Sequence, residues 1–190
     1  MELKRETYET EIYLNIDFDK NYFSQIDTSI GFLDHMLNTL AKYLNISLKI
    51  KAKGDTHVDY HHLIEDIGII LGKALRKEID KDKKINRFGN TTIPMDDSLI
   101  LIALDLSGRS FLNYSVDFKT KQVGNIPLEC FEEFFLKFTN NAQMNLHIKK
   151  LSGKNSHHII ENIFKALGVS LKQALTKSDS LLTTKGKLGD

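Results

Sequence analysis

The chain has 190 residues, 41% hydrophobic and 27% charged, with a formal net charge of +1. That length suits one compact domain or two fused half-domains, and the near-neutral charge gives no reason to expect a nucleic-acid or membrane partner. A single cysteine, Cys130, excludes a disulfide framework and a thiolate zinc site, so any metal must be held by histidine and carboxylate.

The start, Met1 to Glu6, lacks an apolar signal core. Thr10 to Phe18 alternates in polarity and predicts a strand, and Tyr22 to Ile26 predicts a second. Phe32 to Leu44 follows as a helix, with Phe32, Met36, Leu37 and Leu40 on one side. Ile46 to Ala52 alternates again, and His61 to Ile79 has a long helical pattern. Its apolar stretch, Ile67 to Leu75, is interrupted by Gly68, Gly72 and Lys73 and is too short to span a bilayer. A cytoplasmic protein is expected.

The second half repeats this order. Ser98 to Leu106 and Phe111 to Phe118 are predicted strands, joined by the turn signal Ser107-Gly108. Leu128 to Asn141 is an amphipathic helix, Asn145 to Leu151 a strand, and Ser156 to Leu175 a helix with Ser156 as its N-cap. Each half reads β-β-α-β-α, which predicts an α+β fold with a sheet and helices on one of its faces. The repeat divides the single domain, residues 1–190, at about residue 85.

The same histidine word occurs once in each half. His61, His62 and Glu65 form H-H-x-x-E, and His157, His158 and Glu161 repeat it at an offset of 96 residues. On a helix, residues four apart share a face, while adjacent residues diverge by about 100°. His61 and Glu65 can therefore chelate one ion together, as can His157 and Glu161. His62 and His158 must point elsewhere and would serve another ion. Adding His35 and His147 gives six imidazoles and two carboxylates. Shared evenly, that is three imidazoles and one carboxylate per ion, leaving an octahedral metal two open positions for substrate or water. The donor types suit Mn, Fe or Zn. Asp66 is either an orienter of an imidazole or a solvated helix charge.

Several longer pieces accompany these words. They are Gly31-Phe32-Leu33-Asp34-His35-Met36-Leu37, Gly54-Asp55, Arg87-Phe88-Gly89, Pro94-Met95-Asp96-Asp97, Asp105-Leu106-Ser107-Gly108-Arg109 and Leu146-His147-Ile148. Gly153-x-Asn155-x-His157-His158-x-x-Glu161-x-x-Phe164-Lys165-Ala166 and Thr183-Thr184-Lys185-Gly186 complete the set. In this order the chain resembles imidazoleglycerol-phosphate dehydratase of histidine biosynthesis, in its monofunctional form.

The resemblance implies a duplicated fold (ribosomal-protein-S5-domain-2-like) and two Mn2+ ions per active site. It also implies a homo-oligomer of 24 subunits built from trimers, with active sites completed by neighbours. It assigns His35, His61, His62, Glu65, His147, His157, His158 and Glu161 as metal ligands. Glu9, His35, His61, Glu65 and Glu161 form the implied catalytic set. Glu9, Arg87, Arg109, Lys165, Thr183 and Lys185 are the implied substrate contacts. The chain departs from the family pattern at Thr39, Tyr60, Leu63 and Thr183.

The expected reaction dehydrates D-erythro-imidazole-glycerol phosphate to imidazole-acetol phosphate. One metal on the substrate's ring would favour an imidazolate able to expel the adjacent hydroxyl, with Glu9 as the proton-transfer group. Two other readings stand beside it: a di-metal phosphoesterase, and a metal-binding shell protein without activity.

Overall fold

The structure, a computed structural model, describes residues 1–81 and 84–179. The first half runs β1 (Glu2–Glu6), β2 (Thr10–Asp17), β3 (Phe23–Asp27), α1 (Gly31–Leu44), β4 (Ser47–Gly54) and α2 (His61–Lys81). The second runs β5 (Phe88–Met95), β6 (Ser98–Asp105), β7 (Phe111–Ser115), β8 (Gln122–Val123), β9 (Ile126–Pro127), α3 (Glu129–Ala142), β10 (Asn145–Ser152) and α4 (Ser156–Leu175).

Each half builds one four-stranded sheet, ordered β1-β2-β4-β3 and β5-β6-β10-β7. In both, the last strand of the half lies between two others and pairs in parallel with its edge neighbour, β3 or β7. All other pairings in these two sheets are antiparallel. Alternation sends Ile12, Leu14 and Ile16 of β2 and Ile100, Ile102 and Leu104 of β6 into the core. Helices α1 and α2 cover the first sheet, and α3 and α4 cover the second. The halves meet helix to helix, α2 against α3 and α1 against α4, so two sheets enclose a double layer of helices. Phe131, Phe134, Phe135 and Phe164 fill its centre.

Glycines at the helix crossings, Gly72 and Gly168 among them, set how closely the helices approach. A Cβ on Gly72 would lie 2.5 Å from the Phe138 carbonyl oxygen on α3. A Cβ on Gly168 would lie 2.8 Å from Tyr43 Cβ on α1. These positions are 96 residues apart, the same offset as the histidine words.

The α+β class, and a sheet with helices on one face in each half, are as expected. Each half also opens with an edge strand, β1 or β5, that the alternation reading did not include. The Ser107-Gly108 turn does not make a hairpin, because β10 lies between β6 and β7. Asn155 rather than Ser156 caps α4. No helix among the described residues is long and apolar enough to cross a membrane.

Candidate metal and substrate site

The first turns of α2 and α4 carry the two histidine words, and side-chain caps fix where those turns begin. Asp59 Oδ1 accepts the His61 N–H at 2.7 Å. Asn155 Oδ1 accepts from the N–H groups of His157 at 3.0 Å and His158 at 3.4 Å. These oxygens satisfy amides that have no partner within the helix. Adjacent rings then diverge, with interplanar angles of 90° for His61 and His62 and 81° for His157 and His158.

His157 and Glu161 share a face of α4, with Nε2 3.3 Å from Oε2. His35, on α1, brings its Nε2 to the same oxygen at 3.3 Å. Donor atoms of the three residues all lie within 4.8 Å of one another. Lys165 Nζ holds the other Glu161 oxygen at 2.9 Å. Burial pushes the Glu161 carboxyl up, but hydrogen bonds from Lys165 and His35 outweigh it and hold the pKa below the usual value.

The first half repeats this with different donors. His61 Nε2 lies 3.3 Å from Glu65 Oε2, and the third member is Glu133 of α3. Lys137 Nζ is 3.0 Å from both Glu65 Oε1 and Glu133 Oε1.

The second histidine of each word turns to a carboxylate. His62 Nδ1 is 2.9 Å from Asp55 Oδ2, and its Nε2 is 3.7 Å from Glu9 Oε1. His158 Nδ1 is 2.8 Å from Asp97 Oδ1, and its Nε2 is 3.7 Å from Asp96 Oδ2. A carboxylate at Nδ1 accepts a hydrogen bond from the Nδ1–H and so leaves the lone pair on Nε2, the tautomer a metal-binding imidazole needs. The Asp55 hydrogen bond raises the His62 pKa against the opposing effect of burial. The Lys154 N–H, His158 and the Asn155 N–H hold Asp97 well below the usual carboxylate range.

Not every expected residue joins these clusters. Asp66 orients no imidazole and is not solvated. It is buried, where its Oδ1 accepts from Arg5 at 2.7 Å and its Oδ2 accepts from the Thr10 hydroxyl. His147 points outward from β10, against the Phe111 ring. Arg87 is held bidentately by Asp105, at 2.6 and 2.9 Å, and its backbone N–H bonds the Ala174 carbonyl near the end of α4. Arg109 sits in the exposed turn after β6, its carbonyl accepting from Asn145. Thr183 and Lys185 lie outside the described residues. Leu63 is fully buried and Thr39 nearly so, which makes both departures matters of packing.

Sequence reasoning missed Glu133 and Lys137, and it quoted Asp55 and Asp97 without a role. A signal for Glu133 exists. Both α1 and α3 end in a left-handed residue, Asn45 or Gln143. Aligning those ends places Glu133 over His35 and Lys137 over Thr39. The clusters contain only imidazole nitrogen and carboxylate oxygen, a donor set that fits Mn, Fe or Zn.

Comparison with known proteins identifies the family of the chain. The family model described as imidazoleglycerol-phosphate dehydratase matches residues 28–171. A relative of that name from Acetivibrio thermocellus is 46% identical over 190 residues, covering 98% of this chain and 97% of its own. One from Streptococcus sanguinis is 49% identical over 175 residues, covering 92% and 90%. The Pyrococcus furiosus structure, solved with (S)-C348, superposes with a TM-score of 0.87 at 39% identity and covers 98% of this chain and all of its own. The Staphylococcus aureus structure gives 0.83 at 37%, covering 94% and 99%. The chain belongs to the imidazoleglycerol-phosphate dehydratase family.

Proposed function

We propose that the chain is a hydro-lyase of L-histidine biosynthesis, dehydrating D-erythro-imidazole-glycerol phosphate to imidazole-acetol phosphate. The observation that carries this is the convergence of imidazoles and carboxylates at the starts of α2 and α4, in a chain of this family. His35, His157 and Glu161 would hold one Mn2+ ion, and His61 with Glu65 the other. His62, His147 and His158 would complete the two coordination spheres. When bound, the ions supply Lewis acidity toward the substrate's imidazole and diol oxygens.

The chain's own groups do the rest. Glu9 is exposed on the β1–β2 connection, with its carboxylate beside His62 Nε2. It is the candidate base for the substrate's carbon-bound proton. The hydroxyl leaves with a proton as water, and the resulting enol tautomerises to the ketone. Lys165 places a cation beside the Glu161 cluster. Arg109 offers a planar fork that matches phosphate oxygens, and Arg87 would add a second guanidinium charge, held in one orientation by Asp105.

One chain does not bring these parts together. Arg87 is tied to Ala174, seventeen residues beyond His157 on α4, or about 26 Å along the helix axis. His147 and Arg109 lie near the same end of the second sheet, where Asn145 pairs with Asp105. A small phosphorylated imidazole cannot touch both regions of one chain. We therefore infer a shared site between copies; a homo-oligomer of 24 subunits built from trimers is what the family resemblance implies for that assembly. A cytoplasmic location accords with a lone, free and buried cysteine.

Mixing experiments test this reading. His61→Ala and Arg109→Ala are each expected to lose turnover, and co-assembly of the two is expected to restore a fraction of it. Release of inorganic phosphate without ketone product by the unmodified protein would refute the dehydratase reading. Native mass spectrometry before and after chelation tests the assembly, and an intact 24-subunit particle after complete metal removal would show that metals do not link its subunits.

A further inference from the structure

We propose that Lys137 is a positioning residue for Glu65, confining that carboxylate to a single oxygen toward the metal. The inference rests on the reading that His61 and Glu65 hold an ion. Lys137 Nζ takes Glu65 Oε1 at 3.0 Å, while Glu65 Oε2 faces His61 Nε2 at 3.3 Å. The other half divides its carboxylate in the same way. Lys165 Nζ takes Glu161 Oε1 at 2.9 Å, and Glu161 Oε2 faces His157 and His35, each at 3.3 Å.

The two lysines are not equivalent in the chain. Lys165 lies four residues after Glu161 on α4, and the position four residues after Glu65 on α2 is Ile69. The first half receives its ammonium from across the helix interface, on α3. Unrelated positions thus deliver the same charge to the same part of each cluster. A chance surface pair has no reason to reproduce that division.

Glu133 secures the lysine. It is four residues before Lys137 on α3, and its Oε1 is 3.0 Å from Nζ. Lys137 is only 30% exposed, and its two carboxylate partners are about as covered, at 24% and 26%. An ammonium shared by two carboxylates at that depth has little freedom to leave. Glu65 is therefore held in one rotamer, with one oxygen spoken for before any metal arrives. A ligand fixed in advance binds without a further ordering cost.

The test is Mn2+ titration of the chelator-stripped, full-length protein, followed by calorimetry and by the electron paramagnetic resonance signal of free Mn2+. Lys137→Met and Lys137→Gln are expected to weaken one class of Mn2+ sites by about 10- to 100-fold and leave the other class unchanged. Lys137→Arg, which keeps the cation, is expected to recover most of that loss. Wild-type or tighter Mn2+ binding by both Lys137→Met and Lys137→Gln would overturn the proposal, as would equal loss in Lys137→Arg. His61→Ala separates the two levels of inference. If it loses one class of sites while Lys137→Met and Lys137→Gln lose none, the positioning role alone fails. If His61→Ala also binds Mn2+ as the unmodified protein does, the metal reading fails and the positioning role falls with it.

Discussion

Replacing Asp66 with alanine separates a structural carboxylate from a metal-orienting one. Asp66 ties α2 to the β1–β2 hairpin through Arg5 and Thr10. The Asp66 side chain is 8% exposed and that of Arg5 27%. Removing one member of a buried ion pair costs roughly 3–5 kcal/mol, and water reaching the exposed part of Arg5 reduces that to about 2–3 kcal/mol. The stranded Thr10 hydroxyl adds little, because Thr7 Oγ1 lies 3.2 Å away. At a slope of about 2 kcal/mol per M, the urea midpoint should fall by roughly 1–1.5 M. Far-UV circular dichroism is the suitable probe, since the chain has no tryptophan. Protomer concentration must be fixed, because assembly contributes to apparent stability. Mn2+ affinity of the folded variant should stay near the unmodified value. A midpoint shift below about 0.3 M with a roughly tenfold loss of Mn2+ affinity would refute the argument and return Asp66 to the imidazoles.

Asp97→Asn keeps an oxygen for the Lys154 and Asn155 N–H groups but lacks the charge that orients His158, so Mn2+ affinity should fall about 10-fold or more. Its urea midpoint should hardly move, and unchanged Mn2+ titrations would remove Asp97 from the site. Gly72→Ala presses a methyl against the α3 backbone; the over-packing cost of about 1–3 kcal/mol should exceed the gain of about 1 kcal/mol in helix propensity. Gly31→Ala, with nothing within 4 Å of the new Cβ, is the control and should be neutral or stabilising in the same melts. Phe134→Ala removes a fully buried ring that contacts the rings of Phe135, Phe138 and Phe164 and should cost about 3–5 kcal/mol. A loss below about 1.5 kcal/mol in urea titration would mean that the helix layer closes over the gap.

Much of the fold was legible because strands with one buried face declare themselves. Ile12, Leu14 and Ile16 alternate with polar neighbours, and β2 is found there. Two of the four edge strands of the four-stranded sheets, β1 and β5, went unread. β1 reads Glu-Leu-Lys-Arg-Glu, with four charged residues of five, so its one apolar residue shows no alternation. β5 carries Gly89 and Pro94, residues that argue against a strand unless it lies at an edge. At the site, helical spacing foretold that His61 joins Glu65 while His62 turns away. It could not foretell Asp55 and Asp97, because contacts across β-strand ends and hairpin turns depend on tertiary placement. Asp66 misled for a similar reason, since its partner Arg5 sits on the strand that was not recognised.

The caps at Asp59 and Asn155 also bear on where the chain tolerates a change of length. Each cap bonds the amides of the histidine word that follows it, so cap and word form one rigid unit. A residue inserted upstream, among the turns around Asp55 to Val58, is absorbed by the loop. A residue inserted between Asp59 and His61, or between Asn155 and His157, instead pulls the cap oxygen away from the amides it satisfies, because the helix beyond it stays in register with its own buried face. Indels among homologues should therefore stop at the cap and resume only beyond the helix.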